Sequence, residues 1–161
     1  MEHIQHPFPP VFDANSHTLI LGSFPSVKSR EDGFFYGHPQ NRFWRVLSSI
    51  YQSDCPTSID DKKAFLLRHG IALWDVVFSC DIVGSSDASI RNVVPTDLSR
   101  IIQAAHIKQV LCNGTLATKL YKQYLQPTLL IPGISLPSTS PANATWSLQQ
   151  LIEAWKTHLS N

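Results

Sequence analysis

A chain of 161 residues, 43% hydrophobic and 16% charged, has the size and composition of one globular domain with a single core, so one unit over 1–161 is expected. Its net charge of +1 excludes a strongly basic nucleic-acid coat but not a local basic groove. Three scattered cysteines, Cys55, Cys80 and Cys112, without a CxxC pair, exclude a four-thiolate metal cluster and point to a reducing compartment. The start MEHIQHPFPPVFDANS lacks the basic start and apolar run of a signal peptide, and no stretch of about 18 apolar residues occurs. A cytoplasmic monomer with no membrane partner, no metal and no cofactor is therefore expected.

In chain order, HTLILGSF (17–24) is the first apolar run and ends in Gly-Ser-Phe-Pro-Ser. Asn41 to Tyr51 follows with an amphipathic helical pattern, and Asp60 to His69 opens with acids and stops at Gly70, a helix-end signal. GIALWDVVFSC (70–80) is the second run. Thr96-Asp97 forms a helix-start signal before LSRIIQAAH. IKQVLCNG (107–114), a helical pattern over Gly114 to Leu125, LLIPGISLPSTSPAN (129–143) and a last helix over Trp146 to Leu159 complete the series. The four apolar runs are short, rich in Val, Ile and Leu and closed by turn residues, as buried parallel strands are. Their alternation with helices predicts an α/β sandwich with a parallel sheet, whose ligands bind at the carboxyl ends of the strands. Ser23 to Ser26, Asp75, Asn113 and Ser138 to Asn143 all fall at that rim.

Several residues at this rim have both a structural and a chemical reading. The loop after the first run holds Gly22 and two serines but no GxGxxG and no GK[ST], so a dinucleotide or NTP fingerprint is absent. It is either a turn bent by Pro25 or a floor of backbone N–H groups facing a ligand. In GFFYGHPQNRFWRVL (33–47) three adjacent aromatics flank a Gly-His-Pro turn. They belong to the core or stack on a flat heterocycle, a contact worth roughly 1–3 kcal/mol per base. Asn41 is a helix cap or a carboxamide that orients a water or a base edge. Arg42 and Arg45, with Lys28 and Arg30 upstream, supply positive charge that either meets phosphates or faces solvent. Asp75 ends a run that should be buried, so its carboxylate must be paired, hydrogen-bonded or functional. The Ser/Thr/Pro string of LPSTSPANATW caps the last helix or grips phosphates with hydroxyls and amides.

Taken together, LILGSFPSVKSREDGFFYGHPQNRFWRVL, GIALWDVVFSC with GSSDASI, and LPSTSPANA resemble the uracil-DNA glycosylase superfamily, and within it the hypoxanthine-DNA (deoxyinosine) glycosylases. The resemblance covers nearly the whole chain in order. It implies a three-layer α/β/α sandwich around a four-stranded parallel sheet, a base pocket at the strand-end rim, and DNA containing a deaminated base as partner. Where the mismatch-specific branch has a water-activating Asn in the first-strand loop, this chain has Ser23-Phe24-Pro25-Ser26. The resemblance shifts that role to Asn41, whose side-chain carbonyl would hold the water. The last motif has Ser-Thr-Ser-Pro where the uracil-specific enzymes carry a histidine, and Asp75 stands where their base-reading Asn does. The catalytic set implied is Asn41 with Ser23, whose loop amides would stabilise the departing base. The base-binding set is Phe24, Phe35 or Tyr36, Asp75 and Asn113, the last either bonding the base or tying down its loop. Ser26, Lys28, His38, Arg42, Ser138, Thr139, Ser140 and Asn143 would contact DNA.

Two other classes compete. A non-catalytic nucleotide-binding α/β module would use the same rim. A hydrolase using Ser23, Ser138 or Ser140 lacks a GxSxG elbow, and a thiol enzyme using Cys80 has Asp81 beside it rather than a cation.

Overall fold

The computed structural model of the chain describes residues 1–159. The first half runs β1 (Glu2–Gln5), β2 (Thr18–Gly22), α1 (Val27–Asp32), α2 (Phe43–Ile50), α3 (Ile59–Arg68), β3 (Ile71–Asp75) and β4 (Val77–Ile82). The second runs β5 (Arg91–Pro95), α4 (Ser99–Ala104), β6 (Gln109–Asn113), α5 (Thr115–Tyr124), α6 (Gln126–Leu129), β7 (Gly133–Leu136) and α7 (Leu148–Leu159).

The four apolar runs supply a parallel sheet in the order β3-β2-β6-β7. Leu19, Ile20 and Leu21 of β2 and Ile71, Ala72 and Leu73 of β3 have no exposed surface, because helices cover both faces of a parallel sheet and such strands must be apolar on both sides. The architecture is the three-layer α/β/α sandwich. Local signals set the helices: the Ser58 hydroxyl accepts the Asp61 N–H at 3.0 Å to start α3, with Asp60 and Asp61 in its first turn and Arg68 in its last, the charge order that a helix dipole favours. α2 buries Phe43, Trp44, Val46 and Leu47 and packs on α7, where the Phe43 and Trp155 rings meet edge to face at 6.0 Å. Among the described residues no helix is long and apolar enough to cross a membrane.

The sheet is smaller than the apolar runs. Residues 70–80 split at Val76: β3 stays in the parallel sheet, while β4 joins a second, antiparallel sheet of order β1-β4-β5. The N–H groups of Val76 and Val77 close the junction on the carbonyls of Gly22 and Ser23, at 2.8 and 3.0 Å. Of residues 129–143 only Gly133–Leu136 is strand, since Pro132, Pro137 and Pro141 have no N–H to give to a ladder. The junction also places His6. Pairing of β1 with β4 sets Gln5 opposite Ser79, so His6 arrives beside Phe78 and donates its N–H to the Phe78 carbonyl at 2.7 Å, directly behind Asp75.

Candidate active site

A cavity of about 570 Å³ opens at the carboxyl ends of β2, β3 and β6, lined among others by Gly22, Ser23, Phe24, Tyr36, Asn41, Asp75 and Asn113. The residues expected at the strand-end rim, Asn143 excepted, line this one cavity. A neighbouring cavity of about 480 Å³ at the start of α5 shares Ser23, Asp87, Asn113, Ser138, Ser140 and Ala142 with it.

Asp75 closes β3 and is 3% exposed. Its Oδ2 pairs with His6 Nε2 at 2.7 Å. Its Oδ1 has no hydrogen-bond partner among the described residues and lies over Gly22, where a Cβ would stand 2.4 Å from it and 2.9 Å from the Tyr36 hydroxyl. Only glycine fits there, because a side chain would push both polar groups out of place.

Asn41 lines the same cavity as Asp75, Phe35 and Tyr36. Its carbonyl Oδ1 accepts the Phe43 N–H and the Thr139 hydroxyl, both at 2.9 Å. The expectation that this oxygen holds a water is corrected on that geometry: a carbonyl has two lone pairs, and both are taken by the protein. The amide Nδ2 has no partner among the described residues, so it is the end of Asn41 free to meet a ligand. Thr139 is fully buried and continues the chain, since its hydroxyl accepts from Asn113 Nδ2 and its N–H donates to Asn113 Oδ1, each at 3.0 Å. Asn113 is thus tied to its loop at both ends of the amide while still lining the cavity.

The first-strand loop combines two readings. The Ser26 hydroxyl accepts the Ser29 N–H at 3.2 Å and caps α1. The amides of Ser23, Phe24 and Ser26, by contrast, have no partner among the described residues. The Ser23 hydroxyl donates to Asp87 Oδ1 at 3.4 Å. Although Asp87 is exposed, partial desolvation raises its carboxyl above the ordinary value, with the Ser23 hydrogen bond opposing and the charge of Asp75 adding to the rise.

The three lining aromatics differ in access. Phe35 is 2% exposed and packed by Phe8, Phe34 and Trp74 at 4.8, 5.3 and 6.1 Å, so it is a wall rather than a free platform. Phe24 is buried, with the Arg30 guanidinium 5.8 Å over its ring. Tyr36 is only partly buried. Its φ of 54° lies in the left-handed region, a strained setting for a bulky residue, and its ring is held against Phe43 at 4.1 Å and 24°. Burial, with the Asp75 charge adding to it and Asn113 opposing, keeps its phenol protonated well above the ordinary range.

Two of the expected DNA contacts are corrected. Arg42 turns inward: its guanidinium donates to the carbonyls of Ser140 and Asn143, at 3.2 and 3.1 Å, and of Trp146. It clamps the 138–146 loop rather than facing a phosphate. Thr139 is buried, as described, and meets no solvent. Lys28 pairs with Asp32 at 3.1 Å on α1 and does not line the cavity. Ser138 and Ser140 accept the N–H groups of Ser140 and Ala142 at 3.1 Å, and Asn143 donates to the Ser138 carbonyl at 3.0 Å. These turns fix the loop while leaving the serine O–H groups free to donate. His38 lines the cavity and accepts the Gln40 N–H at 3.1 Å through Nδ1. No histidine bonds to Ser23, Ser138 or Ser140, and burial raises the Cys80 thiol, so neither hydrolase alternative is assembled.

Two site residues carry no signal of their own in the sequence. His6 lies 69 positions from its partner, and only the β1–β4 pairing joins them. Asp87 sits in the GSSDASI string that carried the resemblance, yet its carboxylate is identified as part of the site only by the cavity.

An acceptor, a carboxamide and aromatic rings thus line one cavity at the ends of the parallel strands of an α/β sandwich. The family model of the uracil DNA glycosylase superfamily matches residues 9–158, and the chain belongs to that superfamily. A hypoxanthine DNA glycosylase of Methanosarcina barkeri is 38% identical over 109 residues, 66% of this chain and 69% of that protein. Another of that name, from Methanosarcina acetivorans, is 34% identical over 149 residues, 89% and 91% of the two chains. A solution NMR structure from Methanosarcina acetivorans, named as a candidate uracil DNA glycosylase, matches with a TM-score of 0.82 at 30% identity, covering 96% of each chain.

Proposed function

We propose that the protein is a monofunctional DNA glycosylase that extrudes hypoxanthine from DNA and hydrolyses its N-glycosidic bond. The observation that carries this reading is the unpartnered Oδ1 of Asp75 on the floor of a cavity with Asn41 at its wall. The names of the two relatives agree with it. Extrusion is required because the bond cannot be reached inside the base stack. Once extruded, hypoxanthine offers an N1–H donor to Oδ1, whereas adenine offers a bare N1 acceptor that the carboxylate repels. The accessible side of Tyr36, backed by Phe43, stacks on the base.

Cleavage breaks the bond between C1′ and the base, and its electron pair leaves with the base. The amides of Ser23, Phe24 and Ser26 stabilise that charge as preorganised dipoles. Water, oriented by Asn41 Nδ2, forms the new bond to the oxocarbenium-like C1′, and its proton passes to Asp87. Among the described residues no lysine lines the cavity, and in this reading the reaction ends at an abasic site. A panel of oligonucleotides, each with one hypoxanthine, uracil, xanthine or mismatched thymine, treated with alkali after incubation, tests this. Strand scission at hypoxanthine above the other bases is expected; scission at none of them, or at uracil alone, contradicts it.

A further inference from the structure

We infer that His6 is a positioning residue for base selection: it holds Asp75 as an ionised, acceptor-only group with one oxygen turned to the base. This inference rests on the reading of Asp75 as the base-reading group. The two side chains are 0% and 5% exposed, and Oδ2 to Nε2 at 2.7 Å is the only hydrogen bond the Asp75 carboxylate makes among the described residues. Among the described residues no lysine or arginine forms an ion pair with it. The other ring nitrogen, Nδ1, is buried without a partner. The imidazole sits among Trp74, Phe8, Phe24 and Phe35, at ring distances of 4.3, 4.6, 6.0 and 6.1 Å.

One arrangement of the pair's protons leaves no orphan N–H. A proton on Nδ1 would be a buried N–H with nothing to accept it, the kind of donor that folded proteins almost always avoid. Both the imidazolium and the arrangement in which a protonated Asp75 donates to a bare Nε2 require that proton. With the single ring proton on Nε2, only a bare acceptor is left over, and Asp75 stays ionised. The imidazole thus occupies Oδ2 and stops the carboxylate from rotating or acting as a donor, while Oδ1 remains beside Gly22 on the cavity floor. A base presenting the N–H of a lactam meets an acceptor there, and a base presenting a ring-nitrogen lone pair meets the same acceptor and is refused.

The test compares His6→Phe, which keeps a ring in the cage but removes the donor, with His6→Gln, which restores an N–H. Excision is measured on deoxyinosine and on the analogue with unsubstituted purine, which lacks N1–H. His6→Phe is expected to lower the inosine-to-purine ratio of kcat/KM about tenfold or more, the scale of one charge-assisted hydrogen bond, and His6→Gln to recover much of it. An unchanged ratio in a folded His6→Phe protein, or equal losses on both substrates, overturns the inference. Imidazole ¹⁵N shifts of the wild-type protein decide independently of turnover. A neutral His6 protonated on Nε2, perturbed by Asp75→Asn, is expected; an Nδ1–H tautomer or an imidazolium at neutral pH overturns it. A wild-type protein inactive on every oligonucleotide would overturn the glycosylase reading alone, leaving the ¹⁵N result to judge His6.

Discussion

Asp75 and Asp87 are two carboxylates on one cavity with different surroundings, and the proposed reaction gives them different roles. Asp75 is bonded from behind by an imidazole, which suits a fixed acceptor. Among the described residues the Asp87 carboxylate has only the long contact from Ser23, and partial desolvation with the charge of Asp75 raises it above the ordinary 3.8. A raised value makes the ionised form a better base, but that form is lost earlier as pH falls. Excision should therefore decline on the acid side at a pH above 3.8, and Asp87→Asn should lower kcat and abolish that limb in single-turnover pH profiles. The sequence made Asp75 and Asn41 visible because each breaks a local pattern, one a carboxylate ending an apolar strand and the other an amide ahead of an apolar helix. It did not show which atom of Asn41 is free. That depends on Thr139, 98 positions away, whose hydroxyl occupies the carbonyl.

At the scale of elements, the 137–147 loop is the part that would position Asn41 in the proposed reaction. Thr139 ties it to Asn113 at the end of β6 and to Asn41 before α2, and the Arg42 N–H adds a bond to the Thr139 carbonyl at 3.1 Å. Thr139→Val keeps the volume but removes both hydroxyl bonds. It should lower kcat about tenfold, through misplacement of Asn41, and Thr139→Ser should restore most of the rate. Arg42→Ala should destabilise the fold by about 1–3 kcal/mol in urea unfolding, because three carbonyls lose their donor. It should leave the salt dependence of DNA binding unchanged, whereas loss of a phosphate contact would reduce the slope by about one. The four parallel strands were legible as apolar runs because burial on both faces leaves no alternative composition. The antiparallel sheet was not: EHIQ and RNVVP are mostly exposed, too short and too polar to carry a period.

Over the whole molecule, the site forms where the parallel sheet ends and the antiparallel sheet begins. β3 delivers Asp75 to the cavity floor, the chain crosses at Val76, and β4 then pairs with β1 so that the N-terminal segment lays His6 against the carboxylate. The second sheet is thus part of the site's construction, although its strands contribute no side chain to the cavity wall. The order of the motifs along the chain was enough to place the fold in its superfamily. The supports of the cavity were hidden because they join residues from opposite ends of the sequence.

The most direct measurement is single-turnover release of hypoxanthine from a deoxyinosine duplex by an Asn41→Ala protein whose circular dichroism and melting match the wild type. If Asn41 Nδ2 orients the attacking water, the rate should fall about a hundredfold or more, as misplacement of a reacting group does, with duplex binding little changed. A rate within twofold of wild type would contradict it.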